Sequence, residues 1–382
     1  MLSRCRSTLG TIRLGRSVAP VGLETRCHAW NPKNVCMLCN KERFFSNMGR
    51  SRNSRPSSFS EHWIVNFANR EKAKALWDFS DSSTSAECGM DPNEVDRIRA
   101  TIISQGNILD SFELNNVIGV GSFGRVVAGR HKKSNTPCAI KIMEKKINPF
   151  CYREVELIHR VKGCPNILTV HSAYEDEKNM YLVSDRCTGG ELFDYVSEMM
   201  GDIEPQRALR LGLEMLRALE ACNKAGFCHL DVKPENFMFR DSGINAPLLL
   251  VDFGSAEPLV RHQYAATKHE YDPADDDSLA RLTGTTMYNA PEVSVHAKFS
   301  SRSDVWSVGV TTYIMVAGEL PYQTEEDGRT PRYETLNTHN IRSIFPTQKS
   351  FELLRSMIQL DPSLRVSASE AIRELEDILA SY

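Results

Sequence analysis

His229-Leu230-Asp231-Val232-Lys233-Pro234-Glu235-Asn236, followed sixteen residues later by Asp252-Phe253-Gly254, puts two oxygen ligands for a hard cation and one carboxylate base in a short length of chain. Moving a phosphoryl group between oxygens needs little covalent help. It needs charge neutralised on the phosphate oxygens, a fixed line of attack, and a carboxylate to orient the incoming hydroxyl. Asp231 is the candidate base, and Asn236 and Asp252 are the candidate ligands for Mg²⁺.

The elements that must position these groups lie on both sides. Ile118-Gly119-Val120-Gly121-Ser122-Phe123-Gly124-Arg125-Val126 is a glycine-rich turn whose backbone can close over phosphates. Alone, that spacing also suits dinucleotide folds and tight turns. Cys138-Ala139-Ile140-Lys141-Ile142 is an apolar strand with one Lys, and Arg153-Glu154-Val155-Glu156-Leu157-Ile158 is a helical pattern bearing carboxylates. Glu156, two residues from Glu154, falls on another face of that helix and is expected to be solvated.

In this order the segments resemble the eukaryotic protein kinases. The resemblance continues through Gly284-Thr285-Thr286-Met287-Tyr288-Asn289-Ala290-Pro291-Glu292, Ser303-Asp304-Val305-Trp306-Ser307-Val308-Gly309-Val310 and Leu360-Asp361-Pro362-Ser363-Leu364-Arg365, covering about residues 112–380. It implies an α+β, two-lobed fold, with a small β-rich N-lobe at about 112–184 and a larger α-rich C-lobe at about 188–380. It further implies ATP under the glycine-rich turn, with Lys141, paired to Glu154, on its phosphates. Val126, Ala139 and Met238 would sandwich the adenine, and Asp185 and Cys187 would offer it backbone groups. Asp231 would act as base and Lys233 would stabilise the moving phosphoryl group, while Asn236 and Asp252 hold Mg²⁺. Two structural roles are implied as well: Asp304 anchoring the catalytic loop, and a buried Glu292–Arg365 ion pair.

Gly189-Gly190-Glu191-Leu192-Phe193-Asp194, Pro234-Glu235-Asn236-Phe237 and Asp304-Val305-Trp306-Ser307-Val308-Gly309-Val310 are most similar to the calcium/calmodulin-dependent and calcium-dependent protein kinase group. Lys233 and Thr285 match the serine/threonine type. The implied partners are protein substrates with Arg upstream of Ser or Thr, the guanidinium being read by Glu191 and Glu235. For Glu191 the alternative is an acid at a helix N-terminus or a ribose contact. No EF-hand loop follows the last helix, so calcium sensing is not expected within the chain.

The chain departs from the family at several positions. Leu230 stands where most relatives carry an Arg that clamps an activation-loop phosphate, and Arg281 stands where many carry the phosphorylated Thr. The two losses match, so constitutive readiness or control by another route is expected. Ser184, at the position beside the adenine that is usually bulkier, predicts a deep pocket behind the ring. Asp272-Pro273-Ala274-Asp275-Asp276-Asp277 reads as a solvated loop, with a basic partner as the alternative. The rival function is a pseudokinase scaffold, which would have no need of Lys141, Glu154, Asp231, Asn236 and Asp252 together. A small-molecule kinase is disfavoured by Ala290-Pro291-Glu292 and Lys233.

With 382 residues, 41% hydrophobic and 25% charged, the composition suits one two-lobed domain and an extension. No apolar run reaches the roughly 18 residues of a membrane helix. The 11 cysteines are scattered, which fits reduced thiols better than a disulfide framework. Residues 1–77 carry 14 Lys and Arg against 4 Asp and Glu, while the remainder carries 32 against 45. Residues 1–105 are therefore read as a basic, mostly disordered extension. Within it, Arg4 and Arg55 each precede a serine (Ser7, Ser58) by three, a pattern that implies autophosphorylation of the tail or its docking on the acidic body as a pseudosubstrate. Cys27, His28, Cys36 and Cys39 lack the paired second half of a zinc site. The chain is expected to be a cytoplasmic monomer without nucleic-acid partners, the Arg-rich, acid-poor first 23 residues leaving a mitochondrial address as the alternative.

Overall fold

Short β-rich runs separated by turn residues form an antiparallel sheet of five strands: β1 (Phe112–Gly121), β2 (Gly124–His131), β3 (Pro137–Glu144), β4 (Val170–Glu175) and β5 (Asn179–Ser184). The computed structural model describes residues 90–121, 124–199, 201–259, 286–296, 298–325, 327–328 and 330–382. The strands lie in the order β1-β2-β3-β5-β4, leaving β4 at one edge. Two helices precede the sheet, α1 (Pro92–Thr101) and α2 (Ile108–Ser111), and α3 (Cys151–Arg160) crosses between β3 and β4.

The period turns helical after Gly190. Helices α4 (Leu192–Met199), α5 (Pro205–Lys224), α6 (Pro291–His296), α7 (Ser303–Ala317), α8 (Gln348–Met357) and α9 (Ala368–Ala380) build the second lobe. Two small ribbons join them: β7 (Phe237–Phe239) with β8 (Leu248–Leu250), and β6 (Phe227–Cys228) with β9 (Glu257–Pro258). Helix α7 is apolar nearly all round and buried from Ser303 to Val316, so it forms the axis on which α5, α8 and the loop at His229–Val232 pack. Helix α9 opens with a capping box, Ser367 and Glu370 bonding each other's backbone. This architecture is the two-lobed α+β fold that the motifs implied.

The structure adds one helix and corrects one expectation. Helix α1 lies inside the stretch read as a mostly disordered extension. Asp91 caps it by accepting from the Asn93 amide at 2.8 Å, Pro92 fills its first turn, and Val95 and Ile98 are buried in the main core. Glu156 is not solvated but 4% exposed, because α1 covers it. Burial works against its charge, yet bonds from Arg160 (2.8 Å) and Arg97 hold its carboxyl below the usual range. The serines at 7 and 58, the Cys27–Cys39 set, Ser122, Phe123, Arg281, Gly284, Thr285 and the Asp272–Asp277 run lie outside the described residues.

Candidate active site

Strand pairing fixes the cleft wall. Lys141 of β3 sits opposite Val126 of β2 and Leu182 of β5, and Ala139 sits opposite Ser184. At the turn between β1 and β2, Gly121 faces Gly124. Gly124 has φ +146°, and a Cβ there would lie 2.2 Å from the Ile142 carbonyl oxygen, so no other residue fits. Gly119 is different, because a Cβ would meet only the Val126 Cβ, at 3.8 Å. Among the described residues nothing demands glycine at 119, which suits a surface kept bare for close approach by phosphate. Ile118, Val120 and Arg125 are exposed around it.

Lys141 Nζ donates to Glu154 Oε1 at 2.5 Å and to Asp252 Oδ1 at 2.9 Å, so three elements converge on one ammonium. Burial disfavours the charge, but the two carboxylates overcome that and raise the Lys141 pKa above its ordinary value. For Asp252 burial is likewise outweighed by Lys141 and by the Gly254 amide (3.0 Å), and its carboxyl is held down to about 2. Phe253 is buried edge-on to Phe227 and His229, which fixes the backbone of this turn. The His229 ring bonds the Asp252 carbonyl, tying the 229–236 loop to the Asp252–Gly254 turn.

Asp231 is gripped at both carboxylate oxygens. Lys233 Nζ donates to Oδ1 at 2.8 Å, and Asn236 Nδ2 donates to Oδ2 at 2.8 Å and to the Asp231 carbonyl at 2.7 Å. A 3₁₀ turn over Pro234–Asn236 brings Asn236 back to Asp231 across five residues. Asn236 uses its amide hydrogens on Asp231, leaving its oxygen as the atom for a cation. With a carboxylate oxygen of Asp252, that makes an all-oxygen donor pair suited to a hard divalent ion.

Cys187 and Asp185 form the strand exit beyond β5, both half-buried. The Asp185 amide donates to the Thr169 carbonyl at 3.0 Å, and its carbonyl, which accepts from Ser184 Oγ at 3.2 Å, has only its second lone pair for a ligand. Burial first, then the Asp185 charge, pushes the Cys187 thiol up to about 11. Met238 of β7 is half-buried and bridges to Glu191.

A protein kinase domain profile matches residues 112–375, more than half of the 382-residue chain. The chain belongs to the protein kinase domain family. It is similar to calcium-dependent protein kinase 12 of Arabidopsis thaliana, 31% identical over 277 residues, which are 70% of this chain and 53% of the relative. It is also similar to human serine/threonine-protein kinase H1, 31% identical over 275 residues, 69% of this chain and 60% of the relative. Calcium-dependent protein kinase 5 of Plasmodium berghei is 33% identical over 230 residues, 59% of this chain and 38% of the relative. The chain spans about half the length of the curated relatives it matches.

In this protein kinase domain, α6 is tied through Glu292 to α7 and to the turn before α9. Arg365 donates to Glu292 at 2.7 and 3.0 Å, and Ser303 Oγ adds a bond to Glu292 Oε1 at 2.8 Å. The Arg365 guanidinium also lies 5.2 Å over the Trp306 ring. Sequence reading missed Arg153, which forms a buried ion pair with Glu257 of β9, five residues past Asp252. An Arg directly before the helix carboxylate, and a lone Glu after the Asp-Phe-Gly turn, were its only local signals. Among the described residues, no helix is long and apolar enough to cross a membrane.

Proposed function

We propose that this protein is a Mg²⁺-dependent serine/threonine kinase that transfers the γ-phosphate of ATP to protein substrates with Arg upstream of the acceptor. The observation that carries it is the Lys141 ammonium held at once by Glu154 and Asp252, because a binding scaffold has no use for a cation placed between those two carboxylates. A divalent ion held by Asp252 and Asn236 supplies neutralisation of charge on the nucleotide phosphates when bound. Lys141 orients those phosphates from the roof of the cleft. Asp231, aligned by Asn236, accepts the hydroxyl proton of Ser or Thr late in transfer. Lys233, 2.8 Å from the same carboxylate, is placed to stabilise the transferred group.

Preference for Arg is supported by Glu235, whose Oε2 is buried without a hydrogen bond among the described residues. A buried carboxylate oxygen left without a partner is costly, and a substrate guanidinium would satisfy it. The test is phosphate transfer from ATP to a peptide library containing Arg-x-x-Ser, with and without Mg²⁺, for the chain and for Asp252→Asn. Transfer that requires Mg²⁺ and is lost in Asp252→Asn is expected. Intact ATP binding with no transfer by the parent chain would overturn the catalytic reading, and transfer indifferent to the Arg would overturn the substrate preference.

A further inference from the structure

Helix α1 lies on the side of α3 that faces away from Lys141. Tyr152 and Glu156 are four apart on α3 and so share a face, whereas Glu154 lies about 200° round from each. Arg97 of α1 bonds Glu156. Arg99 donates from Nη2 to the Tyr152 hydroxyl at 2.7 Å and from Nε to Glu175 Oε1 at 2.9 Å. Glu175 in turn accepts from Tyr152 and from Lys145, each at 2.5 Å. The network therefore joins α1, α3, the end of β3 and the edge strand β4.

The same segment is tied to the sheet. Val95 and Ile98 are buried in the core cluster that contains Tyr152, Val155 and Ile158 of α3. Just past α1, Ile103 bridges Ala173 in parallel and the Ser104 amide donates to the Ala173 carbonyl at 2.7 Å, extending the sheet beyond β4. So α3 is gripped on one face by α1 and on the other by Lys141 through Glu154.

We propose that residues 91–104 are a brace that sets the position of α3, and with it the Lys141–Glu154 pair, Arg97 and Arg99 being its positioning residues. The physical reason is leverage. A ten-residue helix standing beside a sheet has one rigid-body freedom that matters here, movement towards or away from the cleft, and the brace opposes that movement from outside. Leu230 removes the Arg by which a loop phosphate would be clamped, so a fixed device of this kind supplies order that needs no phosphate. The inference rests on the phosphate-positioning role proposed above for Lys141 and Glu154.

The test uses the full chain carrying Arg97→Ala with Arg99→Ala, alone and on a Glu154→Gln background. Substituting the pair is expected to lower kcat about tenfold with peptide KM unchanged, since alignment is lost and not substrate binding. On the Glu154→Gln background, where the pair is already broken, the same change is expected to cost less than about twofold. Equal losses on both backgrounds would overturn the brace in favour of a general stability role. Hydrogen exchange gives an arm independent of activity: amides of Cys151–Arg160 should exchange faster in the doubly substituted chain. Unchanged protection there would overturn the proposal even if the parent chain transfers no phosphate. Arg97→Gln, a milder change at an exposed position, serves the same exchange measurement where the double variant does not fold.

Discussion

Leu230 adopts a left-handed backbone, φ +62°, while its amide donates to Asp304 Oδ1 at 2.9 Å and the neighbouring His229 amide donates to Oδ2 at 2.8 Å. A branched side chain in that conformation stores strain, of the order of 1–2 kcal/mol. Asp304, buried in α7, holds the strained loop from 74 residues away. Removing Asp304 with Ala would leave two buried amides unbonded, at about 1–3 kcal/mol each. Asp304→Ala is expected to lower stability to urea by that order and to reduce kcat far more than it changes KM for ATP. Unchanged turnover in a folded variant would count against the anchor.

The Glu292–Arg365 pair is fully desolvated on the Arg side, at 0% exposure. Breaking such a pair leaves an uncompensated charge, so Arg365→Ala is expected to cost about 3–5 kcal/mol in denaturant unfolding. Replacing both partners, as in Glu292→Leu with Arg365→Met, is expected to cost less than the single change. Equal or greater loss in the double variant would show that Gln359, Arg302 and Ser303, which also bond this pair, matter more than its charge.

Ser184 is buried opposite Ala139, its hydroxyl reaching the Asp185 carbonyl at 3.2 Å. So small a side chain beside the proposed adenine site predicts that an ATP-competitive inhibitor with a bulky aromatic group binds this chain at least about tenfold tighter than it binds Ser184→Met. ATP itself should bind the two forms alike. Matching inhibition constants would reject the space behind the ring.

Asp252 gives a pH signature whose sign follows from its carboxyl being held down to about 2, below the ordinary 3.8. A group depressed on folding adds stability that is complete above its unfolded pKa and is lost as pH falls through the folded one. Asp252→Asn should therefore be less stable than the parent at neutral pH by a constant margin, and that margin should shrink below about pH 4. Denaturant unfolding across the acid range measures it, and a margin that grows on acidification would contradict the assignment.

Much of the site was legible because its parts are close in sequence. The Asp231, Lys233 and Asn236 contacts span at most five residues and form within one turn, so the single motif that carried the family resemblance contains the residues that meet. Glu154 could be matched to Lys141 only through the family resemblance, since 13 residues and a helix start separate them. The N-cap Asp91, Pro92 and the spacing of Val95, Ile98 and Ile102 did mark α1 in the sequence, but the basic tail before it obscured the change.

What the sequence by itself determined is local: strand and helix periods, the turn that only glycine tolerates at 124, the capping box at Ser367, and the order of motifs that defines the family. What only the tertiary structure decided is which charges lose their water. Glu156 is acidic on an outer helix face, and nothing within a helical turn of it says that Arg97, 59 residues upstream, will cover it. Arg153 meets Glu257 across 104 residues, and Asp304 reaches Leu230 across 74. Solvation is a property of the assembled surface, so a charge's partner and its cost are fixed only when distant segments close over it.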